Sequence, residues 1–278
     1  RVVDLIGMLA ARRMRVPLFV GFHTNFESLA SLYWQDGFGR ACRWYLAACN
    51  RLLFRQSRMV LANSPEMIRQ AGRLGAKSPE LMGTSVPTEF LEAPMVAPSP
   101  VVRRILFAGR LAEEKNVPDI LTLARARPAV SISIAGDGPL RPVVEAEAAR
   151  LPNLRYLGWV SRQDLIATID DHDLLILPST VESFGTVALE SMARGRPAVV
   201  SSACGIVDWP ELSDGIYSIA AEETLIQAID RICGLPEQAR LEKSAHARRA
   251  ACSLNQWNLN TWLGRLGAGQ GTAGQATA

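Results

Sequence analysis

The sequence predicts an α/β protein built on doubly wound parallel sheets, and three observations carry that prediction. From about Val101 onward, short apolar runs alternate with helical stretches, the βαβα order of a parallel sheet. Glycine stands at the end of several of these runs, at Gly109 and Gly136 among others, where a strand gives way to a tight turn. A stretch rich in proline and small residues, EAPMVAPSPVV, separates this half from an earlier one written in the same grammar. Two domains joined by a linker at 93–102 are therefore expected from 278 residues.

The elements follow in order. Residues 1–92 are assigned a helix ending near Arg13, a strand over PLFVGF, a long helix from about Gly39 to Gln56, a strand over RMVLAN, and a helix capped by Ser64-Pro65-Glu66. Two or three strands do not close an α/β domain, so this half is expected to be incomplete. Within 103–253 the strands are RRILFAGR, AVSISIAG, LRYLGW, DLLIL and PAVVS, with helices to about Ala126, over 140–150, over 162–170 and over 184–194. Beyond Leu235 only helical patterns remain. They are EQARLEKSAHARRAA, then a C-terminal helix at 254–266 carrying Trp257 and Trp262, before a tail at 267–278 expected to be disordered.

Composition narrows the function. A net charge of +3 is mild, which argues against a nucleic-acid partner and leaves anionic small molecules open. No apolar run is long enough to span a membrane. Cys42, Cys49, Cys204, Cys233 and Cys252 show no metal-ligand spacing, and His23, His172 and His246 do not cluster. Neither a metal nor a cofactor is expected, and a reducing, cytoplasmic setting is. The chain begins with Arg1, so an upstream segment is expected to be missing.

The chemistry concentrates at 177–200, LPSTVESFGTVALESMARGRPAVV. A buried strand ends at Pro178, a loop carries Glu182, and a helix holds Glu190, a layout whose crevice lies beyond the strand's carboxyl end. Amides around Gly185, Thr186 and Val187 at the helix start suit a phosphate or a sugar hydroxyl, and Gly185 lets the backbone come close. Glu190 can accept from two vicinal hydroxyls, or it can simply complement the helix dipole; the helix alone weighs these equally. After Gly109, Arg110 and Lys115 can clamp a diphosphate, or sit in a solvated loop paired with Glu113 and Glu114. Gly136-Asp137-Gly138-Pro139 is a tight turn at a strand end without the spacing of a nicotinamide site, and the Val160 backbone can read a base edge.

Taken together, FAGRLAEEKN, IAGDGPL, YLGWVSRQDL and LPSTVESFGTVALESMARGRPAVV resemble glycosyltransferase family 4, retaining enzymes with the GT-B fold of two Rossmann-like domains. VPLFVGFHTNFE and RMVLANSPEMIRQ are similar to that family's acceptor-side domain. The resemblance implies a hexose transfer from a GDP- or UDP-sugar to a hydroxyl of a lipid or glycan, with retention and without a metal. It places Glu182 near the donor sugar and Glu190 on the ribose. Arg110 and Lys115 fall on the diphosphate, Gly185, Thr186 and Val187 on backbone contacts to sugar and phosphate, and Gly109, Gly136, Ser183 and Phe184 on the donor-binding site. Val160 falls on the base, and His23 points across the cleft, although the residues alone read it as a strand-end cap. Family members begin with a strand and a glycine-rich loop not present here. An N-terminal truncation of about 70–100 residues is implied, leaving a chain that binds nucleotide yet transfers little sugar. SSACGIVDWPEL also departs from the family's double glycine, near Gly205 and Glu211.

Arg40, Arg43, Arg51 and Arg55, with Trp44 and Tyr45, mark the long N-terminal helix as either a solvated surface or a contact for an anionic membrane. Rival functions are a nucleotide-sugar epimerase or phosphorylase of the same fold, and a non-catalytic nucleotide-sugar-binding or membrane-associating module.

Overall fold

The computed structural model describes residues 2–270 apart from 25, 35 and 36; side chains are described from Asp4 to Arg265. The N-terminal half runs α1 (Val2–Met14), β1 (Phe19–Phe22), α2 (Phe26–Tyr33), α3 (Gly37–Gln56), β2 (Met59–Ala62), α4 (Pro65–Arg73), β3 (Pro79–Leu81) and α5 (Thr88–Glu92). Its three strands form one parallel sheet in the order β1-β2-β3. Phe22, Leu53, Phe54, Val60 and Met67 pack its core. Ser64 caps α4, its hydroxyl accepting from the Met67 amide at 3.3 Å, with Pro65 in the first turn where no amide is needed.

The larger half continues with β4 (Arg104–Ala108), α6 (Val117–Ala126), β5 (Ser131–Ala135), α7 (Arg141–Ala148), β6 (Leu154–Gly158) and α8 (Arg162–Asp170). It goes on through β7 (Leu174–Leu177), α9 (Thr186–Ala193), β8 (Ala198–Val200), β9 (Ile216–Ser218), α10 (Leu225–Cys233) and α11 (Glu237–Gln270). Six parallel strands lie in the order β6-β5-β4-β7-β8-β9, so the chain reverses direction between β4 and β7. Strand order of this kind opens a crevice at the strands' carboxyl ends. The central strands are buried on both faces, which is why RILFA and LLIL read as continuous apolar runs rather than alternating ones.

Several expectations change. β3, β9, α2, α5 and α10 were not assigned, the strands being only three residues long. The boundary expected at 253/254 falls inside α11, because nothing from Glu237 to Leu263 breaks a helix: no proline or glycine occurs there. That helix crosses back to the smaller domain, where Asn258 Nδ2 donates to the Thr84 carbonyl at 3.2 Å and Asn255 Oδ1 accepts from the Val86 amide at 3.0 Å. It also extends through 267–270, and 271–278 of the expected tail lie outside the described residues.

The linker is not a loose connection. Arg194, fully buried, donates through Nε and Nη2 to the Asp170 carboxylate at 3.0 and 2.7 Å, and through Nη1 to the carbonyls of Phe90 and Ala93 at 3.1 and 2.9 Å. Arg196 reaches the Val96 carbonyl at 3.2 Å and Arg248 that of Leu91 at 2.7 Å. Proline-interrupted backbone forms no regular ladder, and guanidinium forks satisfy its carbonyls instead.

Candidate functional site

The loops leaving β4, β5 and β6 are joined by main-chain bonds. Gly109 N donates to Ala135 O at 3.0 Å, Leu111 N to Asp137 O at 2.9 Å, and Gly136 N to Gly158 O at 2.7 Å. Gly136 has φ +135°, and a Cβ there would lie 1.8 Å from the Gly109 carbonyl oxygen. Only glycine lets these loops touch. Gly136→Ala is accordingly expected to cost about 1–3 kcal/mol, read from urea unfolding, and to weaken ligand binding at the adjoining cavity; unchanged stability would mean that the loops part without penalty.

That cavity, of about 240 Å³, is lined by Gly109, Gly136, Trp159, Val160, Val187 and Glu190 among others. Glu190 lies in the second turn of α9 and is only 7% exposed. Burial pushes its carboxyl up to about 7, against an opposing pull from the Arg162 guanidinium. A proton is thus favoured in the folded state, and the stability this confers is complete below the ordinary carboxylate range and lost as pH rises through about 7. Affinity for a vicinal diol should run the other way, strengthening from pH 6 to 8 as both oxygens become acceptors. Titration with a nucleoside across that range checks this, and the trend should flatten in Glu190→Gln.

A second cleft, of about 350 Å³, brings His23 and Asn63 of the smaller domain together with Glu182, Gly185 and Thr186 of the larger. His23 follows the end of β1, and burial lowers its pKa, so the imidazole is neutral at neutral pH. Gly185 caps the start of α9 with φ +98° and its carbonyl accepts from the Ala188 amide at 2.9 Å, while the Thr186 and Val187 amides before it have no partner within the helix. Glu182 is placed by its bridge to Cys204 and by the Gly205 amide, which donates to the Glu182 carbonyl at 3.1 Å. Its carboxylate pairs with Lys115 Nζ, both groups being mostly buried. Lys115 ends a 3₁₀ turn, Glu113–Lys115, closed by Asn116 in the left-handed region. Thr180 N donates to the Glu114 carbonyl at 2.8 Å, which docks this turn onto the loop bearing Glu182.

The structure therefore gathers Gly109, Gly136, Val160, Val187 and Glu190 in one cavity, and His23, Glu182, Gly185 and Thr186 in another. Ser183 lines a third cleft, of about 340 Å³, again with Glu182. Phe184 reaches the cleft differently from its neighbours. Its ring is buried in the core against Trp209, centroids 6.1 Å apart, leaving only its backbone for a ligand. The Arg110 guanidinium pairs with Glu114, one of the two partners that the solvated-loop reading names, and Glu114 is only 3% exposed. Burial pushes the Glu114 carboxyl up, and bonds from Tyr33, its own backbone amide and Arg110 outweigh this, holding it below the ordinary carboxylate value.

Sequence reasoning missed Tyr33, Asn63 and Trp159, and Trp262 as a cleft residue. Only Trp159, following a strand end beside Val160, carried a readable signal. Among the described residues no group of three or more His, Cys, Asp or Glu could hold a metal, and no helix is long and apolar enough to cross a membrane.

The family model for glycosyl transferases group 1 matches residues 102–248, and that for a glycosyl transferase 4-like domain matches residues 3–82. A GDP-mannose-dependent alpha-(1-6)-phosphatidylinositol dimannoside mannosyltransferase of Mycobacterium tuberculosis is 30% identical over 163 residues, covering 57% of this chain and 40% of that protein. A glycogen synthase of the same organism is 29% identical over 185 residues, covering 60% and 45%. The chain thus aligns with less than half the length of these relatives. Among solved structures, Anabaena HepE in complex with UDP and glucose is similar with a TM-score of 0.70 at 19% identity, covering 93% of this chain and 74% of that one. Sucrose-phosphate synthase from Thermosynechococcus elongatus is similar with a TM-score of 0.77 at 16% identity, covering 97% and 72%. These likenesses establish a GT-B fold.

Proposed function

The chain belongs to the glycosyl transferases group 1 family, and from that membership we propose that it forms the donor-binding part of a retaining hexosyltransferase. The donor is a GDP- or UDP-sugar and the acceptor a hydroxyl on a lipid or glycan. One observation carries the reading: a single cavity walled by Gly109, Gly136 and Val160 with the buried Glu190 carboxyl at its edge. It offers backbone contacts for a base and an acceptor pair for ribose hydroxyls.

The adjoining groups support the chemistry. The sugar occupies the cleft of His23, Glu182, Gly185 and Thr186, where a neutral imidazole and α9 amides can hold hydroxyls and phosphate. Lys115 and Arg110 stabilise charge as the bond from the anomeric carbon to the phosphate oxygen breaks. The acceptor oxygen bonds to that carbon on the same face, and its proton passes to the departing phosphate oxygen. No metal is assigned a role.

Calorimetric titration with GDP and UDP, followed by transfer assays from GDP-mannose and UDP-glucose, tests this. Binding of one nucleotide supports the donor site and names the base; a folded chain that binds neither overturns the reading.

Contact with an anionic membrane has its own support. Arg40, Trp44, Arg51 and Arg55 lie along one side of α3, all exposed, with Trp44 at 71%. Replacing Arg51 and Arg55 by glutamate is expected to reduce co-sedimentation with phosphatidylglycerol vesicles about tenfold, with no effect on phosphatidylcholine vesicles. Equal sedimentation would mark this face as merely solvated.

A further inference from the structure

Arg110 is held by a contact that crosses the cleft. Tyr33, at the end of α2 in the smaller domain, donates its hydroxyl to Glu114 Oε2, while Arg110 Nη2 donates to Glu114 Oε1. Arg110 Nη2 also lies 3.5 Å from the Tyr33 hydroxyl oxygen, and its guanidinium carbon 5.9 Å from the Tyr33 ring centroid. Glu114 is buried and its carbonyl accepts from Thr180, so the carboxylate to which both are tied does not move freely.

We propose that Tyr33 is a positioning residue that keeps Arg110 available to the donor diphosphate. A carboxylate facing a lone guanidinium takes it with both oxygens, and this bidentate pair is the stronger arrangement. By occupying Oε2, the Tyr33 hydroxyl limits Arg110 to Oε1, while the aromatic face still supports the cation. Transfer of the guanidinium from Glu114 to a phosphate then gives up one charge-assisted bond instead of two. Because Tyr33 belongs to the other domain, this arrangement exists only when the two halves of the cleft are together, which links closure to the placement of Arg110.

The inference rests on the donor-site reading above, and one set of titrations separates the two. Wild type, Tyr33→Phe, Arg110→Gln and the double variant are titrated with GDP, GMP, UDP and UMP, each first shown to be folded by circular dichroism. Tyr33→Phe keeps the ring and should weaken the diphosphate about 5- to 10-fold, the size of one lost hydrogen-bond advantage, with monophosphate affinity unchanged. In the Arg110→Gln background the Tyr33 substitution should have no further effect. An unchanged diphosphate affinity, an equal loss for monophosphates, or a loss that persists without Arg110 would each overturn the positioning role. A wild-type chain that binds no nucleotide would instead overturn the donor site, and this inference with it.

Discussion

Alanine at Glu190 or at Lys115 is expected to weaken binding of the preferred nucleoside diphosphate about 10- to 100-fold, the cost of one or two hydrogen bonds to a charged group. The two losses should have different signatures. Glu190 lines the cavity between Gly136 and Val160, where the base and ribose are assigned, so its loss should persist when the ligand is cut back to a nucleoside. Lys115 is paired with Glu182, and its removal leaves that mostly buried carboxylate unopposed beside the place where phosphate must sit. Its effect should vanish with the nucleoside. Calorimetry on the four combinations of variant and ligand reads this directly. Were Glu190→Ala to bind as wild type, the carboxylate would be serving the helix dipole alone.

Arg194→Ala is expected to cost about 3–5 kcal/mol of unfolding free energy, the range for breaking a buried ion pair by removing one partner. The substitution strands the Asp170 carboxylate and leaves the carbonyls of Ala93 and Pro94 without their donor, while that of Phe90 keeps only Arg248 Nη1 at 3.4 Å. Arg194→Lys should recover only part of the loss, since an ammonium cannot reproduce the fork that reaches carboxylate and carbonyls together. Urea unfolding monitored by tryptophan fluorescence gives the value. A loss below about 1 kcal/mol would show that the packing of Phe90, rather than the arginine, holds the linker.

Much of the larger domain was legible because its information is local. The helix expected over 162–170 is α8, Arg162–Asp170, with Ser161 accepting from the Asp164 amide as its cap. DLLIL became β7 less its first residue, and PAVVS became β8 less its ends. Element α10 was equally readable and went unread: Thr224 and Gln227 form a capping box ahead of an amphipathic LIQAIDRIC. β9, only IYS, has too few residues to show a period.

The candidate site divides along the same line. Gly109, Gly136, Gly185 and Glu190 are fixed by short-range rules, a glycine where a strand turns sharply or a helix begins and a glutamate in the second turn of that helix. The amino-acid order alone therefore determined the parallel sheet, the ends of its strands and the carboxylate at their crevice. The partner of Arg110, the cleft around His23 and the clamping of the linker came only from the tertiary structure. Tyr33 and Glu114 are 81 residues apart in sequence, and Arg194 and Phe90 are 104 apart. Contacts at such separations depend on how one domain docks against the other and on which buried carbonyls lack a donor. Neither quantity leaves a periodicity or a spacing in the chain that a local reading could detect.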